Sequence, residues 1–382
     1  MKKVLLTATV QSHIAQFHLP LIRMLKENGY EVHVAAKNNL AEKNGLRLDL
    51  PDKIFDVGFD RSPFSLRNIK AYYQLKKIIK KYNYDVIHCN TPIGGLITRL
   101  VARFARKKGT KIFYTAHGFH FYEGAPLLNW VFYYPIEKWL ARYTDKLITI
   151  TKEDYKLASK KFNTNVYLIP GVGANSNKFY PYSKSEISKT KKELGYKEDQ
   201  FILLCVGELN KNKNQKTVIK VTAELVKDFP KIKLLLAGNG PEKDKLRKLV
   251  NKLNLEKHVD FLGYRTDLER YINICDILIS ASYREGLPLN IMEAMLCRKP
   301  VIASLNRGHK ELIKDRVTGL IVGSNDIAAF VNLIMRLIRD EELRQRLGEN
   351  ASKFIEPYKD IKVIQQLQYI YELSPYSDCY KH

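Results

Sequence analysis

The sequence predicts an α/β fold in two halves, each a mainly parallel sheet with helices on both faces, and three observations carry that expectation. Short apolar runs alternate with amphipathic stretches along the chain. The alternation loosens once, between residues 172 and 199, and then restarts. The 382 residues exceed one ordinary domain and suit two of about 180 each.

In the first half, residues 3–9 and 31–36 read as strands with a helix over 19–28 between them. Polar Thr7, Thr9, Gln11 and Ser12 interrupt the opening apolar run, so it is expected to be a first strand and not an exported leader. Further strands are expected at 86–88, 111–115, 147–150 and 167–169. After Pro170-Gly171 the pattern passes through Ser176, Asn177, Pro181 and Ser183, and it resumes at 201–206. Strands at 233–237, 259–262, 277–280, 301–303 and 320–322 complete the second half, and 361–373 reads as a terminal helix. The expected division is a first domain over 1–172, a linker over 173–199, a second domain over 200–354 and a C-terminal helix and tail over 355–382.

The segment with most chemistry is Arg284-Glu285-Gly286-Leu287-Pro288-Leu289-Asn290-Ile291-Met292-Glu293-Ala294, after the apolar run Ile277-Leu278-Ile279. Gly286 and Pro288 favour a loop, and a proline suits a helix start, so a helix is expected from about Leu289 with Glu293 in its opening turns. Unpaired N–H groups at a helix start bind anions, and carboxylates accept hydrogen bonds from vicinal hydroxyls. A diphosphate at the helix start, with Glu285 toward a sugar and Glu293 toward a ribose, makes this a candidate nucleotide-sugar site. Two glutamates at this spacing also arise by chance, with the second on a solvated helix face. In open α/β sheets ligands collect beyond the carboxyl ends of strands, which places the site between the two halves.

The block continues through Arg298-Lys299-Pro300-Val301, Gly308-His309-Lys310-Glu311 and Gly319-Leu320-Ile321-Val322. It resembles the C-terminal signature of glycosyltransferase family 4, retaining enzymes of the GT-B fold. Thr7-Ala8-Thr9-Val10, Phe17-His18-Leu19-Pro20, His88-Cys89-Asn90-Thr91-Pro92, Tyr114-Thr115-Ala116-His117-Gly118-Phe119-His120 and Gly207-Glu208-Leu209-Asn210-Lys211-Asn212-Lys213 extend the resemblance over nearly the whole chain. It is nearest to the bacterial capsule and exopolysaccharide branch. The resemblance implies two Rossmann-like domains facing a central cleft, with the terminal helix crossing back to the first.

It also implies roles. Glu285, His117 and Lys213 are the candidate catalytic residues, with Glu285 on the donor sugar, His117 beside it and Lys213 on the diphosphate. Gly207, Lys213, Tyr264, Arg265, Arg284, Glu285, Gly286, Leu287, Pro288, Leu289 and Glu293 form the candidate donor site. The backbone around Tyr264 and Arg265 borders the uracil of a UDP-sugar, and His18 and His120 lie toward the acceptor. The family often has an arginine where this chain has Glu208, which leaves Lys213 in need of another partner, with Arg284 the candidate. Retention by front-face attack is implied, needing no carboxylate nucleophile. No D-x-D stands at a strand end, so neither a metal nor a cofactor beyond the UDP-sugar donor is expected.

The formal charge of +24 is uneven: residues 1–180 hold 29 basic and 13 acidic side chains, or +16, and the remainder +8. Lys76, Lys77, Lys80 and Lys81 cluster, as do Arg103, Arg106, Lys107 and Lys108, near the aromatic run Trp130, Phe132, Tyr133, Tyr134 and Trp139. Such a surface suits anionic lipid and a lipid-diphosphate-linked saccharide acceptor. Lysine-rich helices also serve simply to solvate a fold. No apolar stretch approaches the roughly 20 residues that cross a bilayer. Cys89, Cys205, Cys275, Cys297 and Cys379 show no metal spacing, and a reducing cytoplasm is the simplest setting for them. The combined expectation is a cytoplasmic transferase, peripheral at the inner membrane face. It adds a hexose or N-acetylhexosamine from a UDP-sugar to a growing polysaccharide, without nucleic-acid partners. The alternatives are a GT-B-fold UDP-sugar epimerase acting on free nucleotide sugar, and a non-catalytic basic binding protein, whose mark is salt-sensitive nucleic-acid binding without UDP affinity.

Overall fold

A computed structural model describes residues 1–42 and 46–373. Cys379 and the rest of the expected tail fall outside them. The chain divides into two compact units, one of residues 1–173 with the segment from Asp360 onward, the other Ala174–Lys359.

The first unit carries strands β1 (Lys2–Val10), β2 (Tyr30–Lys37), β3 (Lys53–Asp56), β4 (Val86–Asn90), β5 (Lys111–Ala116), β6 (Lys146–Thr149) and β7 (Asn165–Leu168). They form one parallel sheet in the order β3-β2-β1-β4-β5-β6-β7. Val4, Leu5 and Leu6 of β1 are fully buried, because helices cover both faces of a parallel sheet. Those helices are α1 (Gln11–Phe17), α2 (Leu19–Glu27), α3 (Arg67–Tyr82), α4 (Pro92–Arg106), α5 (Leu127–Ala141) and α6 (Lys152–Lys161). Two elements escape the sequence pattern. β3 is a four-residue edge strand whose residues are mostly exposed, so it carries little apolar signal, and α1 follows β1 with no intervening loop.

The second unit begins before the expected linker ends. Residues 173–199, read as a connector, instead contain α7 (Lys184–Glu193), started by a capping box in which Ser183 accepts from the Glu186 N–H at 3.3 Å and Glu186 accepts from the Ser183 N–H at 2.7 Å. The stretch before it is tied down by Asn273, which accepts from the Tyr182 N–H at 2.9 Å and donates to the Tyr180 carbonyl at 3.1 Å. Serine, asparagine and proline here make caps and turns, which the sequence pattern does not distinguish from a linker.

The rest is a second doubly wound sheet of β8 (Phe201–Val206), β9 (Ile232–Ala237), β10 (Val259–Gly263), β11 (Ile277–Ser280), β12 (Val301–Ser304) and β13 (Leu320–Val322), ordered β10-β9-β8-β11-β12-β13. Helices α8 (Gln215–Asp228), α9 (Lys243–Lys252), α10 (Leu268–Ile274), α11 (Leu289–Leu296), α12 (Arg307–Leu312), α13 (Ile327–Arg339) and α14 (Glu341–Phe354) cover it. The last helix, α15 (Asp360–Ile370), belongs to the first unit and packs on α2, and just after it the Tyr371 hydroxyl meets Nδ1 of His88 on β4 at 2.7 Å. In both sheets the strand order reverses at one point, between β1 and β4 and between β8 and β11, and each reversal opens a crevice at the strand ends.

Candidate active site

The reversal in the second unit brings two loops together. β8 ends at Val206, and Gly207 follows at φ 150°, a backbone region open to glycine. Gly238 after β9 lies so close that a Cβ there would stand 2.0 Å from the Gly207 carbonyl oxygen. The Asn210 side chain accepts from the Lys213 N–H at 2.9 Å, and Asn212 donates to the Arg284 carbonyl at 2.9 Å. These bonds lock the loop after β8 to the loop after β11. Lys213 Nζ then reaches Glu285 Oε1 at 2.7 Å, with both side chains largely buried.

Lys213 thus pairs with a carboxylate, and Arg284, expected beside it as the second cation, contributes its backbone carbonyl to the loop lock. Glu208, in the place of the family arginine, accepts from Asn210 through its side chain at 3.1 Å and from Gln215 through its carbonyl at 3.0 Å. Gly308, on α12, presses on the same loop, since a Cβ there would stand 2.4 Å from the Gly286 carbonyl oxygen and 2.8 Å from Glu285 Cβ. Beside it, buried His309 is held by Asn306, whose side-chain oxygen accepts from the His309 N–H at 3.0 Å, and by the Ser304 carbonyl, which its Nδ1–H reaches at 2.5 Å. Gly308 and His309 belong to the Gly308-His309-Lys310-Glu311 run of the sequence, whose only local signal is its place after a strand.

Helix α11 starts at Leu289 with Pro288 at its N-cap, and Leu287 and Leu289 pack on the core. Asn290 donates to the Val206 carbonyl at 3.0 Å, which fixes the helix start against the end of β8. Glu293 is buried and not on a solvated face. Burial pushes its carboxyl up to about 8, Lys178 pulling it down and Glu269 pushing it further up. Arg265 follows β10, and its guanidinium is committed to Asp267 at 2.6 and 2.8 Å.

In the first unit, three histidines converge beyond the strand ends. His13 Nε2 lies 3.3 Å from His117 Nε2 and 3.3 Å from His18 Nε2, and His117 Nε2 is 3.4 Å from Asn90 Oδ1. His13 comes from α1, His18 from the α1–α2 junction, and His117 follows β5. Burial brings His117 down to about 4 and lowers His13 and His18 as well, so all three are neutral at pH 7. His13 was missed by sequence reasoning; its one signal is its place three residues after a strand. His120 stacks on Tyr133 of α5 at 4.6 Å, while His88 is buried in bonds to Tyr371 and Thr115.

Beyond His120 runs α5, whose Leu127, Leu128, Val131, Phe132, Ile136 and Trp139 are exposed. It is anchored by Glu137, which accepts from the fully buried Arg99 of α4 at 2.9 and 3.1 Å. α4 in turn packs on α3, where Lys76 sits over Phe104. Among the described residues no helix is long and apolar enough to cross a membrane.

Residues 3–151 match the family model described as glycosyl transferase 4-like, and residues 186–354 that of glycosyl transferases group 1. A putative glycosyltransferase of Bacillus subtilis, EpsD, is 41% identical over 99% of this chain and 97% of its own length. The Escherichia coli UDP-Gal:alpha-D-GlcNAc-diphosphoundecaprenol alpha-1,3-galactosyltransferase is 26% identical over 80% of each chain. The solved structure of Anabaena HepE in complex with UDP and glucose superimposes with a TM-score of 0.78 at 23% identity, covering 97% of this chain and 100% of the other. With two doubly wound units and family matches in both, the chain belongs to the family 4, or group 1, glycosyltransferases of GT-B fold, and is a glycosyltransferase.

Proposed function

We propose that the protein transfers a hexose or N-acetylhexosamine from a UDP-sugar, with retention, to a lipid-diphosphate-linked saccharide during capsule or exopolysaccharide assembly at the inner face of the plasma membrane. The observation that carries the proposal is the Lys213–Glu285 pair at the β8/β11 crevice, beside the start of α11. Glu285, fixed by the ammonium, accepts hydrogen bonds from the sugar hydroxyls. Lys213 and the free N–H groups at the α11 start face the diphosphate. Glu293 takes the ribose, and the backbone at Tyr264 and Arg265 borders the base.

The acceptor hydroxyl attacks the anomeric carbon from the face that the phosphate leaves. The bond from that carbon to the phosphate oxygen breaks, and the acceptor proton passes to the departing phosphate. Lys213 offsets the charge that gathers on UDP. His117, neutral at pH 7, donates or accepts a hydrogen bond beside the reacting centre. The donor and acceptor named for the E. coli relative, and the UDP held by HepE, support the choice of ligands.

Calorimetric titration with UDP, GDP and ADP, with and without chelator, tests the donor. Selective UDP binding that survives chelation is expected. Selection of GDP or ADP would discard the donor, and binding of no nucleotide would discard the transfer reading of this site. The anomeric configuration of the product on a synthetic diphosphate-lipid acceptor, read by NMR, tests retention.

A further inference from the structure

The three histidines of the first unit fit no role that the transfer reading needs in full, since that reading uses His117 beside the donor and leaves His13 unassigned. Two of their Nε2–Nε2 separations are 3.3 Å. A weak N–H···N hydrogen bond fits that separation, which lies just beyond the about 2.7–3.2 Å usual for N–H···O bonds. The same separation equals the edge of a tetrahedron whose centre lies about 2.0–2.1 Å from each nitrogen, the length of a Zn–N(His) bond. All three ligating nitrogens fall within 4.8 Å of one another, so the His18–His117 edge is the one that closes when an ion binds. The cluster is framed by regular elements: His13 sits within α1 and His18 caps its end, and His117 directly follows the last residue of β5.

We infer that His13, His18 and His117 form a three-histidine site for a borderline divalent transition ion, Zn2+ being the natural occupant. The ligand set is three neutral imidazoles and no carboxylate, which suits Zn2+, Cu2+ or Ni2+ and not Mg2+ or Ca2+. His18 is buried while His13 and His117 are partly exposed. Three protein ligands leave one position of a tetrahedral ion open, and that position takes water or an anionic oxygen. The bound ion clips α1 and the α1–α2 junction to the end of β5. This site differs from the diphosphate-bridging metal of D-x-D enzymes, because it is made by imidazoles alone. It does not rest on the transfer reading, since binding is scored without substrate.

The test uses the untagged full chain, stripped with chelator and titrated with Zn2+ by calorimetry near pH 7.5, with Co2+ as a spectroscopic probe. One Zn2+ per chain is expected, with a rise in melting temperature and the visible absorption bands of four-coordinate Co2+. His13→Ala and His117→Ala, both at partly exposed positions, each weaken Zn2+ binding about tenfold or more, because losing one of three ligands breaks the site. His258→Gln, in the second unit, leaves binding unchanged. Circular dichroism confirms that the variants are folded. Absence of stoichiometric Zn2+ binding, or binding equally tight in folded His13→Ala and His117→Ala proteins, overturns the inference.

Discussion

Lys213 and Glu285 hold one another at 2.7 Å, largely out of water, so neither can be removed without stranding the other. Lys213→Ala is expected to lower kcat by about 10²–10³, the cost of losing one donor to a developing oxyanion. Glu285→Ala is expected to cut transfer and spare UDP binding, because its proposed contact is with sugar, whereas Glu293→Ala is expected to weaken the binding of UDP itself. Equal loss of UDP affinity in the two glutamate variants would contradict that division. Glu293 also carries a pH signature. Its carboxyl is near 8 in the fold against an ordinary 4.5, so the folded state holds the proton more tightly. The stabilisation is complete below the ordinary value and is lost as pH rises through about 8. Glu293→Gln cannot ionise, and it should flatten melting temperature against pH over that window and melt above wild type at pH 8. A wild-type profile as flat as the variant's would remove the burial argument. The glutamate pair was legible because its residues are contiguous with a loop-to-helix signal. The Lys213–Glu285 contact was not, since nothing local specifies a bond across 72 positions. His13 was equally hidden, as a lone histidine near a strand gains meaning only when His18 and His117 stand beside it.

Between residue and fold lie the loops at the strand ends, which place these side chains through close backbone approach. Gly238 shows how little room they have. Gly238→Ala must push apart the turns after β8 and β9, with an added Cβ 2.0 Å from the Gly207 oxygen. The expected loss exceeds about 2 kcal/mol, steric overlap adding to the strain of a left-handed φ. Gly195 also has positive φ, at 81°, yet a Cβ there meets nothing within 4 Å, so Gly195→Ala should cost about 1 kcal/mol or less. Denaturant midpoints of the two variants compare crowding with backbone strain directly, and equal losses would show that the close approach has no weight. The buried strands were readable because parallel strands covered on both faces are continuous apolar runs. β3 was not, being short and at an exposed edge, and α7 reads as linker because its capping serine and glutamate look like loop composition.

At the scale of the molecule, two sheets of matching strand order carry unlike surfaces. The first 180 residues hold +16 of the +24 charge, and in the first unit, which contains most of them, α5 leaves Leu128 and Phe132 at 67% and 61% exposure. An apolar helix face in the unit that also carries lysine-rich α3, with α4 in contact with both helices, is costly in water and well suited to a lipid interface, where rings enter the headgroup region and ammonium groups stay at the phosphates. Each lysine or arginine near an anionic surface adds about 1 kcal/mol of attraction, and 1 M salt shortens the screening length from about 10 Å to about 3 Å. The protein is therefore expected to co-sediment with phosphatidylglycerol vesicles at 0.1 M salt, to leave them at 1 M, and to ignore vesicles of phosphatidylcholine alone. Leu128→Glu with Phe132→Glu should weaken vesicle binding about tenfold or more, by removing buried apolar area and adding repulsion, while UDP affinity stays unchanged. Full vesicle binding by that double variant would show that charge alone brings the protein to lipid. Binding insensitive to salt in both proteins would show that the lysines of α3 merely solvate the fold.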